Sequence, residues 1–150
     1  KYSKNNEIVN DGLTPIASYG ATDQHSQMQL FAEGPTDKLF FLIDINERSY
    51  DFELNCHAKT ESLNALSATT MNNLLKAEFY GAIKTLQDQK KPIINISIPY
   101  LNESSLGELI IFYELLTVSV AEMINVDPFD QPGVESGKKY TRDWLKTKNK

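Results

Sequence analysis

The chain has 150 residues, of which 41% are hydrophobic and 23% are charged, and its formal net charge is −5 at pH 7. This length and composition are those of an ordinary globular protein with one packed core. The negative charge argues against a general nucleic-acid or membrane-surface binder, because both surfaces attract basic proteins. The single cysteine, Cys56, cannot form an intrachain disulfide, so we expect a reducing, cytoplasmic setting.

The sequence also argues against a zinc site and a membrane span. Two histidines, His25 and His57, and one thiol are too few ligands for a dedicated zinc site. No apolar run approaches the roughly 18 to 20 residues required to span a bilayer. Residues 1–6 are polar, whereas a secretory signal needs an apolar stretch. We therefore expect a soluble protein.

The hydrophobic pattern predicts alternating helices and strands. Residues 1–14 are predicted to be irregular. The predicted elements that follow, in chain order, are a helix that begins at Thr22 and ends at Gly34–Pro35, a strand at 39–45, an edge strand or loop at 50–54, a helix at 70–87, a strand at 93–98 and a helix at 102–125. This order predicts an α/β fold with a mainly parallel sheet. The continuous apolar run at 39–45 is typical of a strand covered on both faces. Because two or three strands are few for such a sheet, we expect sheet neighbours before Lys1.

Two helix starts carry candidate caps. Thr22 or Asp23 is expected to cap the first helix. Ser105 and Glu108 have the spacing of a capping box before the longest helix, and Asn102 is the alternative cap.

The segment 129–140, FDQPGVESGKKY, combines a turn, an acidic helix start and a lysine. Its Pro132–Gly133 pair favours a turn, so we expect the last helix to begin near Val134. Glu135 would then lie in the first turn and Lys138 about one turn further on. A lysine near a helix N-terminus suits an anionic or oxygen-rich ligand. The alternative is an ordinary exposed Glu135–Lys138 pair without a function.

Two blocks near opposite ends of the chain resemble the phosphoglucose isomerase (glucose-6-phosphate isomerase) family. Residues 125–138, NVDPFDQPGVESGK, match its C-terminal signature of an aromatic residue, Asp or Asn, Gln, any residue, Gly-Val-Glu, two free positions and Lys. Residues 19–38, YGATDQHSQMQLFAEGPTDK, resemble its Gly-Xaa-Xaa-Xaa-Gln-His segment. The sequence between them is similar to bacterial members, so the resemblance covers nearly the whole chain.

The resemblance implies a specific fold and assembly. Residues 1–128 would be the later part of the second sugar isomerase (SIS) domain, which is a flavodoxin-like three-layer sandwich. Residues 129–150 would form an active-site turn and a C-terminal helix. Family members are homodimers in which the histidine reaches the neighbouring subunit's active site.

The resemblance also implies site residues for interconverting D-glucose 6-phosphate and D-fructose 6-phosphate, without a metal or other cofactor. By resemblance His25 opens the sugar ring, Lys138 lies near the same oxygens and Gln131 contacts the substrate. Imidazole suits proton transfer near neutrality, and an ammonium group stabilises developing negative charge on oxygen. Asp23 is a candidate for orienting the imidazole. Glu135 is expected to support the helix start and Lys138.

In relatives the glutamate that moves the proton between C2 and C1, the phosphate-binding loops and an arginine all precede the histidine block. No residue here corresponds to them, so we expect the 150 residues to be inactive alone. One alternative is a non-catalytic SIS module that binds a sugar phosphate. Another is a hydrolase with a serine or cysteine nucleophile, which the lack of a Gly-Xaa-Ser-Xaa-Gly elbow and the adjacency of Cys56 and His57 disfavour.

Overall fold

The computed structural model describes residues 3, 5, 7–55, 60–64, 66–67, 69–129 and 132–148. It divides into two compact units, one formed by residues 1–15 with 107–150 and the other by residues 16–106. The elements in chain order are α1 (Thr22–Ser26), α2 (Met28–Glu33), β1 (Phe40–Glu47), β2 (Glu53–Leu54), α3 (Glu61–Asn64), β3 (Thr69–Thr70), α4 (Met71–Asp88), β4 (Ile93–Tyr100), α5 (Glu103–Met123) and α6 (Pro132–Lys148).

The centre of the 16–106 unit is the parallel pair of strands β1 and β4. Their register places Phe40 opposite Ile93 at one end and Glu47 opposite Tyr100 at the other. The crossover between them contains α4, because parallel strands need a long connection. The predicted α/β order and parallel pairing are confirmed, and both strands extend two residues further than the apolar runs indicated.

A second, shorter sheet pairs β2 with β3 in antiparallel orientation, with Glu53 opposite Thr70 and Leu54 opposite Thr69. The segment at 50–54 is therefore a loop that ends in a two-residue strand, and among the described residues the partner of that strand is β3 and not β1. Strand β3 was not predicted, because two residues are too few to show a period.

The buried core of this unit is small. Leu86 on α4 is its best covered side chain, at 1% exposed. The other buried apolar residues of the unit, within the described part of the chain, are Ala32, Ala82 and Ile98. Some apolar side chains of the strands remain exposed to solvent, and Ile43 on β1 is 41% exposed. The expectation that β1 is covered on both faces is therefore wrong for these 150 residues.

The N-terminus of α4 is capped from two directions. Thr70 Oγ1 accepts a hydrogen bond from the Asn73 amide at 3.3 Å. Asp51 Oδ1 accepts from the Asn72 amide at 3.0 Å and from the Phe52 amide at 2.9 Å. These hydrogen bonds favour the ionised form of Asp51 over the protonated form. The bond from the Asn72 amide is the main reason that the pKa of Asp51 lies below its usual value. The loop after β1 is thereby fastened to α4.

In the 107–150 unit, Val126 is buried and pairs with Ser3 in an isolated antiparallel bridge. Helix α6 begins at Pro132, two residues before the predicted start. Pro132 and Gly133 belong to the helix, so the prediction of a turn at this pair is wrong. Proline is favoured in the first turn of a helix, where its missing N–H is not needed.

Helix α5 begins at the end of the 16–106 unit, and its cap there is Asn102. The Asn102 Oδ1 atom accepts from the Ser105 amide at 2.9 Å, and Ser105 Oγ accepts from the Asn102 amide at 3.1 Å. This reciprocal pair satisfies two amide donors at the helix start. The alternative cap proposed from the sequence is confirmed.

Most of the apolar surface of α5 is open, and Leu115 is 63% exposed. With 21 residues and a mean hydropathy of 1.4, α5 is long and apolar enough to cross a membrane by length and composition. This departs from the expectation that no apolar run approaches that length, because charged residues such as Glu108 and Glu114 interrupt the apolar sequence without lowering its mean hydropathy below that of a span. A core helix of a soluble protein meets the same test, so no membrane role follows.

Replacing Asp51 by alanine should lower the melting temperature of the whole protein at pH 7, because the N-terminus of α4 loses an acceptor. A carboxyl whose pKa is depressed by folding stabilises the fold above its unfolded-state pKa, and this contribution disappears as the pH falls through the folded-state pKa. The difference in melting temperature between wild type and Asp51→Ala should therefore become smaller as the pH falls from about 5 to about 3. Thermal unfolding across that range measures it.

Asp51→Asn is the control, because it keeps an acceptor oxygen but cannot titrate. Its melting temperature should lie above that of Asp51→Ala at pH 7. If the difference in melting temperature between wild type and Asp51→Ala is the same at pH 7 and at pH 3, the Asp51 carboxylate does not cap α4 as described.

Candidate active site

His25 lies on a short helical pair in which α1 leads into α2. The Gln27 amide donates to the Asp23 carbonyl at 2.9 Å, and the Phe31 amide donates to the Gln27 carbonyl at 2.9 Å. The hydrogen-bond ladder therefore continues through the junction. No side chain of α1 is buried, and His25 is exposed. The predicted helix is confirmed as two short helices that meet at Gln27 and are bridged by these two hydrogen bonds.

Helix α2 attaches this pair to the rest of the unit. Ala32 is buried, and the rings of Phe31 and Phe40 meet edge to face with centroids 5.2 Å apart. The helix ends at Gly34, whose amide donates to the Leu30 carbonyl at 2.9 Å. A Cβ at Gly34 would lie 2.2 Å from the Leu30 oxygen, so no other residue fits here without a backbone shift.

Asp23 fastens the turn that precedes His25. Its Oδ2 accepts from the Tyr19 amide at 2.7 Å and from the Ser18 hydroxyl at 3.2 Å. The N-cap position of α1 is Ala21, without a side-chain cap, so the expectation of a cap from Thr22 or Asp23 is wrong. Within the described part of the chain no hydrogen bond joins Asp23 to His25. Asp23 therefore acts on the turn and not on the imidazole.

Lys138 lies in the second turn of α6 and pairs with Glu135. The Lys138 Nζ donates to Glu135 Oε1 at 2.6 Å, and the two side chains are 57% and 65% exposed. A pair this open contributes little to stability. Because α6 begins at Pro132, Lys138 is further from the helix N-terminus than predicted, and the repulsion by the dipole is weaker there. The ammonium group is accessible to a ligand.

The third predicted site residue, Gln131, lies outside the described residues, as do Asp130, Cys56 and His57. His25 belongs to the 16–106 unit and Lys138 to the 107–150 unit. The described residues contain no group of three or more His, Cys, Asp or Glu side chains placed to hold a metal ion.

Comparison with known proteins covers almost the whole chain. Residues 4–150 match the family model described as "Phosphoglucose isomerase". The chain belongs to the phosphoglucose isomerase family. The resemblance of the histidine block and the C-terminal signature to this family is thereby confirmed.

Curated relatives carry the corresponding names. A "Glucose-6-phosphate isomerase" from Carboxydothermus hydrogenoformans is 34% identical over 142 residues, which are 94% of this chain and 31% of the relative. A "Probable glucose-6-phosphate isomerase" from Methanococcus maripaludis is 33% identical over 89% of this chain and 30% of the relative. The chain thus spans about a third of the length of these phosphoglucose isomerase relatives.

One solved structure has the same fold over nearly all of the chain. It is the crystal structure of a hypothetical protein from Thermus thermophilus, with a TM-score of 0.86 and 33% sequence identity. The match covers 97% of this chain and 34% of that one. The α/β arrangement of a parallel sheet with helices is therefore shared with an experimental structure.

Replacing Asp23 by alanine should free the turn at 18–20 and destabilise this part of the fold by about 1 kcal/mol, since a charge-assisted hydrogen bond is lost. Hydrogen exchange at the Tyr19 amide should become faster. Asp23→Asn keeps an oxygen that can accept the same hydrogen bond, so the Tyr19 amide should exchange more slowly in this variant than in Asp23→Ala. Unchanged exchange at Tyr19 in Asp23→Ala would contradict this role.

Proposed function

We propose that the whole protein to which this chain belongs is a glucose-6-phosphate isomerase. It interconverts D-glucose 6-phosphate and D-fructose 6-phosphate in glycolysis and gluconeogenesis, in the cytoplasm, by acid–base chemistry that needs no metal or other cofactor. The match of residues 4–150 to the family carries this proposal. The curated names of the relatives support it.

We further propose that residues 1–128 are the later part of a second SIS domain with a flavodoxin-like three-layer sandwich. Residues 129–150 then provide the active-site turn and C-terminal helix. The parallel β1–β4 pair with α4 in its crossover supports this assignment. The glutamate base, the phosphate loops and the arginine belong to the part of the protein outside this chain, so the chain alone is inactive.

His25 opens the sugar ring in this scheme. Its position on the exposed side of α1 leaves the imidazole free to exchange a proton with the ring oxygen or the anomeric hydroxyl of a bound sugar. An imidazole can donate one proton and accept another near neutral pH. The active enzyme is a homodimer in which His25 serves the neighbouring subunit's site.

Lys138 and Gln131 act on the oxygens of the substrate. The Lys138 ammonium group stabilises negative charge that develops on the oxygens as the ring opens and the enediolate forms. Glu135, at 2.6 Å, holds the ammonium group near the start of α6. The amide of Gln131 can donate and accept hydrogen bonds to substrate hydroxyls at the same time.

His25→Ala in the whole protein should reduce reaction of a cyclic substrate far more than that of an open-chain one. A tetrose 4-phosphate is a suitable open-chain aldose, since its C4 oxygen carries the phosphate and cannot close a ring. Exchange of the C2 hydrogen with solvent should fall about 10²- to 10⁴-fold for glucose 6-phosphate, the usual contribution of a general acid or base. Exchange for the tetrose should change little. Equal losses on both substrates would contradict ring opening by His25.

Lys138→Met should lower the isomerisation of glucose 6-phosphate about 10²- to 10³-fold, the usual effect of removing one donor to a developing oxyanion. The neighbouring Lys139 is also exposed on α6, so Lys139→Met is a matched control for charge and helix propensity. The isomerisation rate of Lys139→Met should stay within about twofold of the wild-type rate. Steady-state kinetics of the two variants tests the role, and similar activities would refute it.

The alternative function is a non-catalytic SIS module that binds a sugar phosphate. Calorimetry and an isomerase assay on the same preparation separate the two functions. Binding of glucose 6-phosphate without any conversion would favour the module. Conversion to fructose 6-phosphate establishes the isomerase.

A further inference from the structure

Lys91 is a buried lysine in the connection between α4 and β4. The residue is only 8% exposed, and its Nζ donates to the Gly34 carbonyl at 2.6 Å and to Thr36 Oγ1 at 3.1 Å. Among the described residues it forms no ion pair. The pKa of Asp37 is lowered, mainly by the hydrogen bond from Lys38, and the charge of Lys91 contributes to this shift. Burying a charged group costs free energy unless hydrogen bonds and opposite charges compensate, so the two acceptors and the Asp37 carboxylate favour this position of the side chain.

The first acceptor, the Gly34 carbonyl, lies at the end of the helical pair that carries His25. The last carbonyls of a helix lack partners within the helix, and a lysine can satisfy them. The positive charge is also favoured at this end by the peptide dipoles. Lys91 thus supplies a partner that α2 cannot supply itself.

The contact joins two distant parts of the chain at one edge of the sheet. Gly34 and Lys91 are 57 positions apart, and both precede strands that run in parallel. The backbone continues this link, since the Phe40 amide donates to the Pro92 carbonyl at 3.0 Å. The end of α2 is therefore held against the start of β4.

Helix α1 buries no side chain, so it depends on α2 for its position. The ring contact between Phe31 and Phe40 holds the middle of α2, whereas Lys91 holds its end. Ala32 on the same helix is also buried. The hydrogen bond at Gly34 adds a polar attachment at the end of α2 and helps to fix the direction in which α1 extends.

We propose that Lys91 is a positioning residue for His25, and this inference rests on the ring-opening function proposed above. By fixing the end of α2 it orients α1 and places the imidazole for proton transfer to the sugar ring. A shift of about 1 Å in such a group can reduce a rate about a hundredfold. Lys91 itself does not touch the substrate.

The test compares Lys91→Met with Lys90→Met in the whole protein. Methionine keeps most of the length and volume of lysine but cannot donate hydrogen bonds. Lys90 is the exposed neighbour and provides the matched control. Two measurements are made on each variant: hydrogen exchange of the amides in 22–37, and exchange of the C2 hydrogen in glucose 6-phosphate and in a tetrose 4-phosphate.

In Lys91→Met the amides of 22–37 should exchange faster than in wild type. The reaction of glucose 6-phosphate should fall about tenfold or more, whereas that of the tetrose should stay within about twofold. Lys90→Met should match wild type in both measurements. Equal losses on the two sugars would show a merely structural role and overturn the proposal. Unchanged amide exchange would also overturn it.

A second variant covers the case in which Lys91→Met does not fold. Thr36→Val removes one of the two acceptors at an exposed position and keeps the shape of the side chain. It should selectively reduce the reaction of the cyclic sugar by about threefold, the loss expected for part of one hydrogen bond. A change equal on both sugars would overturn the proposal. If wild type converts neither sugar, the proposed function fails, and amide exchange alone then decides whether Lys91 anchors α2.

Discussion

The parallel pairing of β1 with β4 is the constraint on which the rest of the 16–106 unit depends. Strands that run in the same direction bring the segments that precede them to one edge of the sheet. At this edge the end of α2 meets the end of the α4 crossover, and Lys91 closes the contact with Gly34. The helical pair that carries His25 therefore takes its position from the sheet register. A one-residue slip would turn the side chains of the strand to the opposite face and separate these partners.

Apolar side chains on the strand pair and on α5 are exposed in this chain. A parallel sheet is normally covered on both faces, yet Ile43 and Ile94 on these two strands are 41% and 40% exposed. Helix α5 is apolar around most of its circumference and has a single buried residue, Ala121. The relatives are about three times as long as the matched region.

The candidate site consists of side chains in locally simple settings. His25 is exposed on a helix without buried residues, and Lys138 is an open lysine with one acidic neighbour. Neither setting alone distinguishes a functional residue from an ordinary surface residue. The roles proposed for both residues rest on the family to which the chain belongs and on the elements that support them. Asp23 holds the turn before His25, and Glu135 holds the ammonium group of Lys138.

The sequence by itself determined the family, the helices and strands longer than five residues, and the candidates His25, Gln131 and Lys138. Periodicity and motif spacing are local properties, so they can be read without coordinates. The tertiary structure decided what the polar side chains do: Asp23 binds the preceding turn, Asp51 caps α4 across 21 positions, and Lys91 anchors Gly34 across 57. The contact between Lys91 and Gly34 depends on the register of β1 with β4, because hydrogen bonds require distances that only the folded chain sets.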